Sequence, residues 1–331
     1  MKLQLEQIRA ITHGAAYITE APNGYCFHRF TAEQEELYRA HSADFYKKTA
    51  ATSGIRLALR TNSRSLCFLA GVRPASSRRF AFFDLTVNGE QVVHLGTEQI
   101  VGEISIGGRY EFGDGEKTVV LYFPQLASAI LQELELEDGC WIEPLPQAPK
   151  LLILGDSITQ GYDARFPSHA YTSRIADLLG MEGRNKGIGG ERFFPALAKA
   201  GDADLDPELV TVAYGTNDWS SCPAETIQAG LTAFYQALSK TYPHAQIAAI
   251  SPIWRTDWST KRPAGAFSRI HDMIRQTADE LPNVTCINGL DLIPHDPACF
   301  APDGLHPNEI GFAYYAERLA CKLQALRKGW I

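Results

Sequence analysis

Four short, continuously apolar segments limit what the second half of this chain can become: Leu151–Leu154, Leu209–Ala213, Ile247–Ile250 and Val284–Ile287. Between and after them, apolar residues recur at helical spacing over roughly 168–180, 223–240, 265–281 and 308–327. A strand that is apolar throughout must be covered on both faces, and strands that alternate with helices pair in parallel. This half therefore reads as α/β, a parallel sheet between two layers of helices.

The first half has a different period. Ile55, Leu57 and Leu59 alternate with Arg56, Ala58 and Arg60, and the polar turn Thr61–Arg64 leads into an apolar run, Leu66–Val72. Phe83, Leu85 and Val87 alternate up to Asn88-Gly89, a strong hairpin signal, with Val92–Leu95 as the return strand. Further strands fit Ile100–Ile106, Thr118–Phe123 and Ile130–Leu136, and a short helix fits residues 33–48. Many short strands punctuated by turns predict an all-β sandwich or jelly roll. The segment Pro144-Leu-Pro-Gln-Ala-Pro149 suits neither a helix nor a central strand. It divides the chain into a β domain, residues 1–145, and an α/β domain, residues 150–331.

Composition narrows the function by exclusion. A net charge of -7 argues against a general nucleic-acid binder, which needs a basic face. No run of 18 or more apolar residues predicts a membrane span, and the first twenty residues hold no apolar run like that of a signal peptide. The seven cysteines are scattered without a C-x-x-C pair and read as reduced, mostly buried small hydrophobes. The expected compartment is the cytoplasm. No His/Asp/Glu cluster has the tight spacing of a zinc site, and there is no phosphate-binding G-x-x-x-x-G-K-[ST] loop, so neither a metal nor a cofactor is expected.

The chemistry is concentrated at strand ends. The first α/β strand runs into Gly155-Asp156-Ser157-Ile158-Thr159-Gln160-Gly161. In an open α/β sheet this is where ligands bind, and a serine opening a helix there sits beside unpaired N–H groups. Asp156 and Ser157 could equally be a plain helix cap. Near the end of the chain, Asp303-Gly304-Leu305-His306-Pro307-Asn308 sets an Asp and a His three apart, just before the last helix. A serine hydroxyl needs a base to take its proton, and an imidazole serves best when a carboxylate fixes its tautomer. The same loop could instead be a surface turn in which Asn308 caps the helix. Asn185-Lys-Gly-Ile-Gly-Gly190 offers backbone N–H donors, and Tyr214-Gly-Thr-Asn217-Asp218 brings a side-chain amide to the same sheet edge.

Taken together and in this order, these blocks resemble the SGNH (GDSL) hydrolase family over residues 150–327. Its four name-giving residues would be Ser157 in GDSITQG, Gly190 in NKGIGGE, Asn217 in GTND and His306 in DGLHPN. The resemblance implies a three-layer α/β/α fold and a triad of Ser157 as nucleophile, His306 as base and Asp303 as its orienting carboxylate. It also implies an oxyanion hole from the Ser157 and Gly190 N–H groups and the Asn217 amide. A preceding β-sandwich is similar to that of family-two carbohydrate esterases and of some acyltransferases. The function expected is hydrolysis of small O-acyl esters, acetyl above all, on a carbohydrate or another small polar molecule. Acyl transfer through the same acyl-Ser157, or carbohydrate binding by a protein whose hydrolase half is a relic, remain open alternatives. Tyr162, Trp219 and Trp254 are candidates to line the substrate pocket, and for Trp219 a place in the core or at the domain interface is also open.

Overall fold

The apolar strands form the parallel sheet that their composition requires. A computed structural model describes residues 1–329, so the last two positions of the expected second domain lie outside the described residues. The strands Lys150–Gly155, Glu182–Asn185, Leu209–Ala213, Gln246–Ile250 and Val284–Ile287 are all parallel. Their spatial order is 182–185, 150–155, 209–213, 246–250, 284–287. Helices Tyr171–Leu179 and Glu309–Arg327 bury their apolar sides against one face, and Ala224–Thr241 and Ser268–Asp279 cover the other. The strand 150–155 is flanked by the second strand on one side and the third on the other. The chain thus winds first one way and then the other, opening a crevice at the carboxyl ends of those strands.

Ahead of this unit, two antiparallel sheets pack face to face. One contains Thr12–His13, Arg56–Thr61, Lys117–Tyr122, Ala81–Val87 and Glu90–Thr97, with Ile142–Pro144 also paired to Arg56–Thr61. The other contains Tyr17–Ala21, Gly24–His28, Ala127–Leu136, Ser65–Pro74 and Ile104–Glu111. Their inner faces supply a separate core that includes Leu57, Phe68, Phe83, Leu121 and Leu131. Asn88 and Gly89, with φ of 52° and 83°, close the hairpin in which Val87 faces Glu90, as the sequence predicts.

Some local expectations shift. The strand expected to start at Ile100 starts at Ile104. Ile100 is buried in the preceding loop, its N–H bonded to the Arg79 carbonyl at 2.6 Å, and Gly102 turns the chain at φ 70°. The single helix expected at 33–48 is two helices, Ala32–His41 and Ala43–Thr49, broken at the extended Ser42 that caps the second. All seven cysteines are free, but only Cys222 and Cys299 are buried, so fewer are core residues than expected. No helix among the described residues is long and apolar enough to cross a membrane.

The two small helices carry the main structural surprise. Phe30 and Tyr38, both fully buried, belong not to the sandwich core but to the cluster that includes Leu152, Val212 and Phe234. Close by, the buried Arg29 guanidinium donates to the carbonyls of Ala51 (2.6 Å) and Lys48 (3.2 Å) on its own side. Across the boundary it donates to those of Asn185 (2.7 Å) and Gly187 (3.2 Å). The first half thus completes the α/β core rather than hanging beside it. Phe30→Ala should therefore destabilise the α/β unit by about 3 to 5 kcal/mol, the range for a buried aromatic lost from a core. Urea unfolding of the full chain measures this, and a change below about 1 kcal/mol would place Phe30 outside that core.

Candidate active site

Ser157 opens a one-turn helix, Ser157–Gln160, directly after the strand 150–155. Asp156 caps it by accepting the Ile158 N–H at 3.0 Å, and Gly161, at φ 100°, ends it. The capping reading of Asp156 is thus correct and compatible with a chemical role for its neighbour. Ser157 is 5% exposed, and its Oγ lies 2.8 Å from His306 Nε2.

His306 is held by the turn it belongs to. Phe300 and Pro307 form an antiparallel bridge, and the Ala301 N–H donates to the His306 carbonyl at 2.8 Å. Asp303 Oδ1 accepts the N–H groups of Leu305 and His306, both at 3.0 Å, while Oδ2 lies 2.7 Å from His306 Nδ1. Partial burial pushes the Asp303 carboxyl up, but the His306 side chain and the two N–H donors outweigh this and hold it well below the usual carboxylate range. An ionised carboxylate can only accept, so the proton of the neutral imidazole sits on Nδ1 and the Nε2 lone pair faces Ser157. Asn308 caps the last helix, accepting from Ile310 and Gly311, and donates to the Ala298 and Phe300 carbonyls. The turn is at once a helix cap and a support for the imidazole.

The three expected oxyanion donors come from three separate segments. Ser157, Gly190 and Asn217 follow three adjacent strands of the sheet. The Asn217 amide donates to the Glu191 carbonyl at 2.9 Å and approaches Asp156 Oδ2 at 3.4 Å. It therefore lies between the residue that follows Gly190 and the residue that precedes Ser157. The N–H groups of Ser157 and Gly190 have no partner among the described residues. Gly190 needs its lack of a side chain, since φ is 87°. The carbonyl of Gly189 accepts from Lys48 Nζ at 2.8 Å, and its N–H donates to Gln160 Oε1 at 2.7 Å. Together with Arg29, this engages the Asn185, Gly187 and Gly189 carbonyls of the loop. The arrangement can pass a proton from a serine hydroxyl to an imidazole and stabilise an anion beside it.

The aromatic candidates behave differently. Trp219 is fully buried, donates Nε1–H to the Gly265 carbonyl at 3.0 Å and packs edge-on against Phe267, so it is a core residue and not a pocket wall. Two positions past Asn217 on a helix, its side chain turns to another face. Trp254 is also buried, stacked on His295 and edge-on to Phe300, and offers no open face. Tyr162 does reach the site, its ring 5.3 Å from that of His306, but it is only 4% exposed and lies under Arg78.

Sequence reasoning missed Arg78 and Glu191. Arg78 comes from the β-sandwich, far away in the chain, and no local motif announces it. Its Nη2 lies 2.6 Å from Asp163 Oδ2, 3.0 Å from Asp303 Oδ2 and 3.4 Å from His306 Nδ1. The last is an approach between two donors rather than a hydrogen bond. Asp163, Asp303 and His306 have donor atoms close enough together to hold a cation, but the guanidinium already occupies that position. Glu191 directly follows Gly190 and is fully enclosed, with Tyr38 and Tyr214 donating to its two carboxyl oxygens at 2.6 and 2.7 Å.

Residues 153–314 match the GDSL-like Lipase/Acylhydrolase family. No curated protein matches the chain. Among solved structures, a salicylyl acyltransferase from a tetracycline biosynthetic pathway has a TM-score of 0.80 at 22% identity, covering 95% of this chain and 94% of that one. A family two carbohydrate esterase from Clostridium thermocellum, solved with cellohexaose, has a TM-score of 0.67 at 15% identity, covering 96% and 99%. An acetyl xylan esterase from the rumen bacterium Butyrivibrio proteoclasticus has a TM-score of 0.61 at 18% identity, covering 84% and 91%. These likenesses extend over both halves of the chain and establish a shared fold.

Burial pushes the Glu191 carboxyl up to about 8, against the pull of the two tyrosine hydroxyls. Such a carboxyl takes up a proton on folding between its ordinary value of 4.5 and about 8. The stability it contributes is full below that window and is lost as pH rises through it. Glu191→Gln removes this dependence, so its melting temperature should rise relative to the parent between pH 5 and pH 8. A difference that stays constant over that interval would mean that the carboxyl is already ionised at pH 5.

Proposed function

With a GDSL-like lipase/acylhydrolase domain at residues 153–314, the chain is an ester hydrolase of the SGNH type, and we propose that it removes small acyl groups, acetyl above all, from hydroxyls of a carbohydrate or another small polar molecule. The observation that carries this reading is the 2.8 Å contact between Ser157 Oγ and His306 Nε2, with Asp303 on the other ring nitrogen. In the proposed reaction His306 takes the Ser157 proton as Oγ bonds to the ester carbonyl carbon. The charge that develops on the carbonyl oxygen meets the Ser157 and Gly190 N–H groups and the Asn217 amide. The imidazolium then gives its proton to the departing alcohol, and water attacks the acyl-Ser157 by the same path in reverse.

Several features favour a small, polar substrate. Ser157 and His306 are 5% and 7% exposed, and their surroundings include Arg78, Asp163 and Asn217, a poor lining for a fatty chain. With Trp219 and Trp254 buried, the aromatic left open on the neighbouring loop is Trp258, 50% exposed. That loop is joined to the catalytic turn through the Thr256 N–H and the Gly304 carbonyl at 2.9 Å. A flat apolar face beside polar groups suits a sugar ring. The carbohydrate esterases and acetyl xylan esterase of similar fold agree with this substrate class. Seven unpaired cysteines suit a reducing compartment such as the cytoplasm.

The direct test is a series of p-nitrophenyl esters from acetyl to octanoyl, followed by acetylated sugars. Activity should fall steeply with chain length, and an acetylated sugar should surpass a simple alkyl acetate in kcat/KM. Preference for chains of eight carbons or more would overturn the small-acyl reading. Ser157→Ala should remove nearly all activity, and paraoxon should label Ser157; labelling of another serine with Ser157 unmodified would refute the assignment. Free acetate as product marks hydrolysis, whereas esterification of an added alcohol in its place marks transfer. Trp258→Ala should raise KM about tenfold for the sugar ester and leave p-nitrophenyl acetate turnover unchanged, since stacking is remote from the reacting bond. Equal losses on both substrates would place Trp258 outside sugar recognition.

A further inference from the structure

The loop between the strands Ser65–Pro74 and Ala81–Val87 leaves the β-sandwich and reaches the imidazole of the other half. Arg78, on this loop, holds Asp163 through two bonds, Nε to Oδ1 at 2.9 Å and Nη2 to Oδ2 at 2.6 Å. Its Nη2 also donates to Asp303 Oδ2, the oxygen that faces His306 Nδ1. Asp163 Oδ2 lies 3.5 Å from the same ring nitrogen. Two carboxylates and one guanidinium therefore surround a single imidazole nitrogen. Asp163 adopts φ 64°, a left-handed conformation that non-glycine residues seldom take, and the Arg78 fork holds its side chain there. The Tyr162 ring lies beneath the guanidinium at 5.2 Å, and Ser77 donates to the Tyr162 hydroxyl at 3.3 Å, so the loop is seated at several points.

We propose that Arg78 is a positioning residue for catalysis, supplied by the β-sandwich: it sets Asp303 against His306 and neutralises the second carboxylate, Asp163, so that the imidazole stays free to act as a base. The inference rests on the reading of His306 as the general base. Two ionised carboxylates at Nδ1 without the guanidinium favour the imidazolium, which has no lone pair for the Ser157 proton. With Arg78 in place the net charge of the cluster rises from -2 to -1, that of a single orienting carboxylate (formal charges of Asp163, Asp303 and Arg78). The other groups facing the ring are the Ser157 hydroxyl, the Tyr162 phenol and, through space, the buried Asp156. These three are common to the variants compared below.

The test is the pH dependence of kcat/KM on p-nitrophenyl acetate for the parent, Arg78→Met, Asp163→Asn and the double variant. Arg78→Met should move the acid limb up by about one unit, the lower end of the effect of a nearby charge, with KM almost unchanged. Asp163→Asn should move the limb down, and adding it to Arg78→Met should bring the limb back toward the parent. Arg78→Lys, which keeps the charge but not the fork, should keep the parent limb with a reduced kcat. An Arg78→Met limb that coincides with the parent, or a shift that Asp163→Asn does not reverse, overturns the proposal. If Arg78→Met shows no cooperative melt, Asp163→Asn decides alone, and a limb that fails to move down overturns it. A parent without an acid limb, or activity that survives Ser157→Ala, would instead refute the serine–histidine mechanism, so the two failures are distinguishable.

Discussion

One fully buried guanidinium ties the molecule together. Arg29 takes four carbonyl partners, two from the segment Lys48–Ala51 and two from the loop that carries Gly190. Burial pulls it down to about 10, so it keeps its charge at neutral pH. A buried charge without partners is costly, and removing the partners of such a group typically costs about 3 to 5 kcal/mol. The loop is therefore fixed in the one arrangement that satisfies Arg29. The Asn185, Gly187 and Gly189 carbonyls are taken by Arg29 and Lys48, while the Gly190 N–H has no partner among the described residues. Lys186, in the same loop, is buried against Asp202 and Gln34 and fastens it from a third direction.

The two sides of the serine also differ in charge. Toward His306, the imidazole and two N–H donors hold Asp303 well below the usual carboxylate range, and Arg78 pairs with both Asp303 and Asp163. On the side of the three donors, burial pushes Asp156 up to about 7 and Glu191 to about 8. Near neutral pH these enclosed groups carry less negative charge than ordinary carboxylates, so a developing oxyanion meets less repulsion there. The imidazolium that forms in the same step lies beside full negative charge. Burial and pairing, acting on the same kind of side chain, polarise the site along the direction in which charge moves.

Much of this was legible in the sequence, for reasons that differ from residue to residue. Strands such as Leu209–Ala213 and helices such as 224–241 announce themselves through unbroken apolar runs and regular spacing, which depend only on what each element must bury. Ser157, Gly190 and Asn217 follow strand ends, and Asp303 and His306 share the turn before the last helix, all within compact motifs whose local chemistry is distinctive. Arg78 and Arg29 carry no such mark, because their partners lie in the other half of the chain and only tertiary packing joins them. Trp219 and Trp254 were placed near the site by their sequence neighbours, but side-chain direction, which turns by about 100° per helical residue, sends Trp219 into the core. Glu191 could have been found from its place directly after Gly190, although only the fold reveals that two tyrosines enclose it.

The helices at 32–49 are packed on a sheet whose strands all lie further along the chain. During synthesis the sandwich strands are complete by residue 144, while Phe30 and Tyr38 still lack the surface that covers them. That surface forms only after the strand at 209–213 and the helix at 224–241 have been made. A ribosome elongating at about 5 to 20 residues per second leaves these two aromatics uncovered for several seconds. The nascent chain is thus a sandwich with an open apolar flap, a species that chaperones can recognise and that crowding can drive to aggregate.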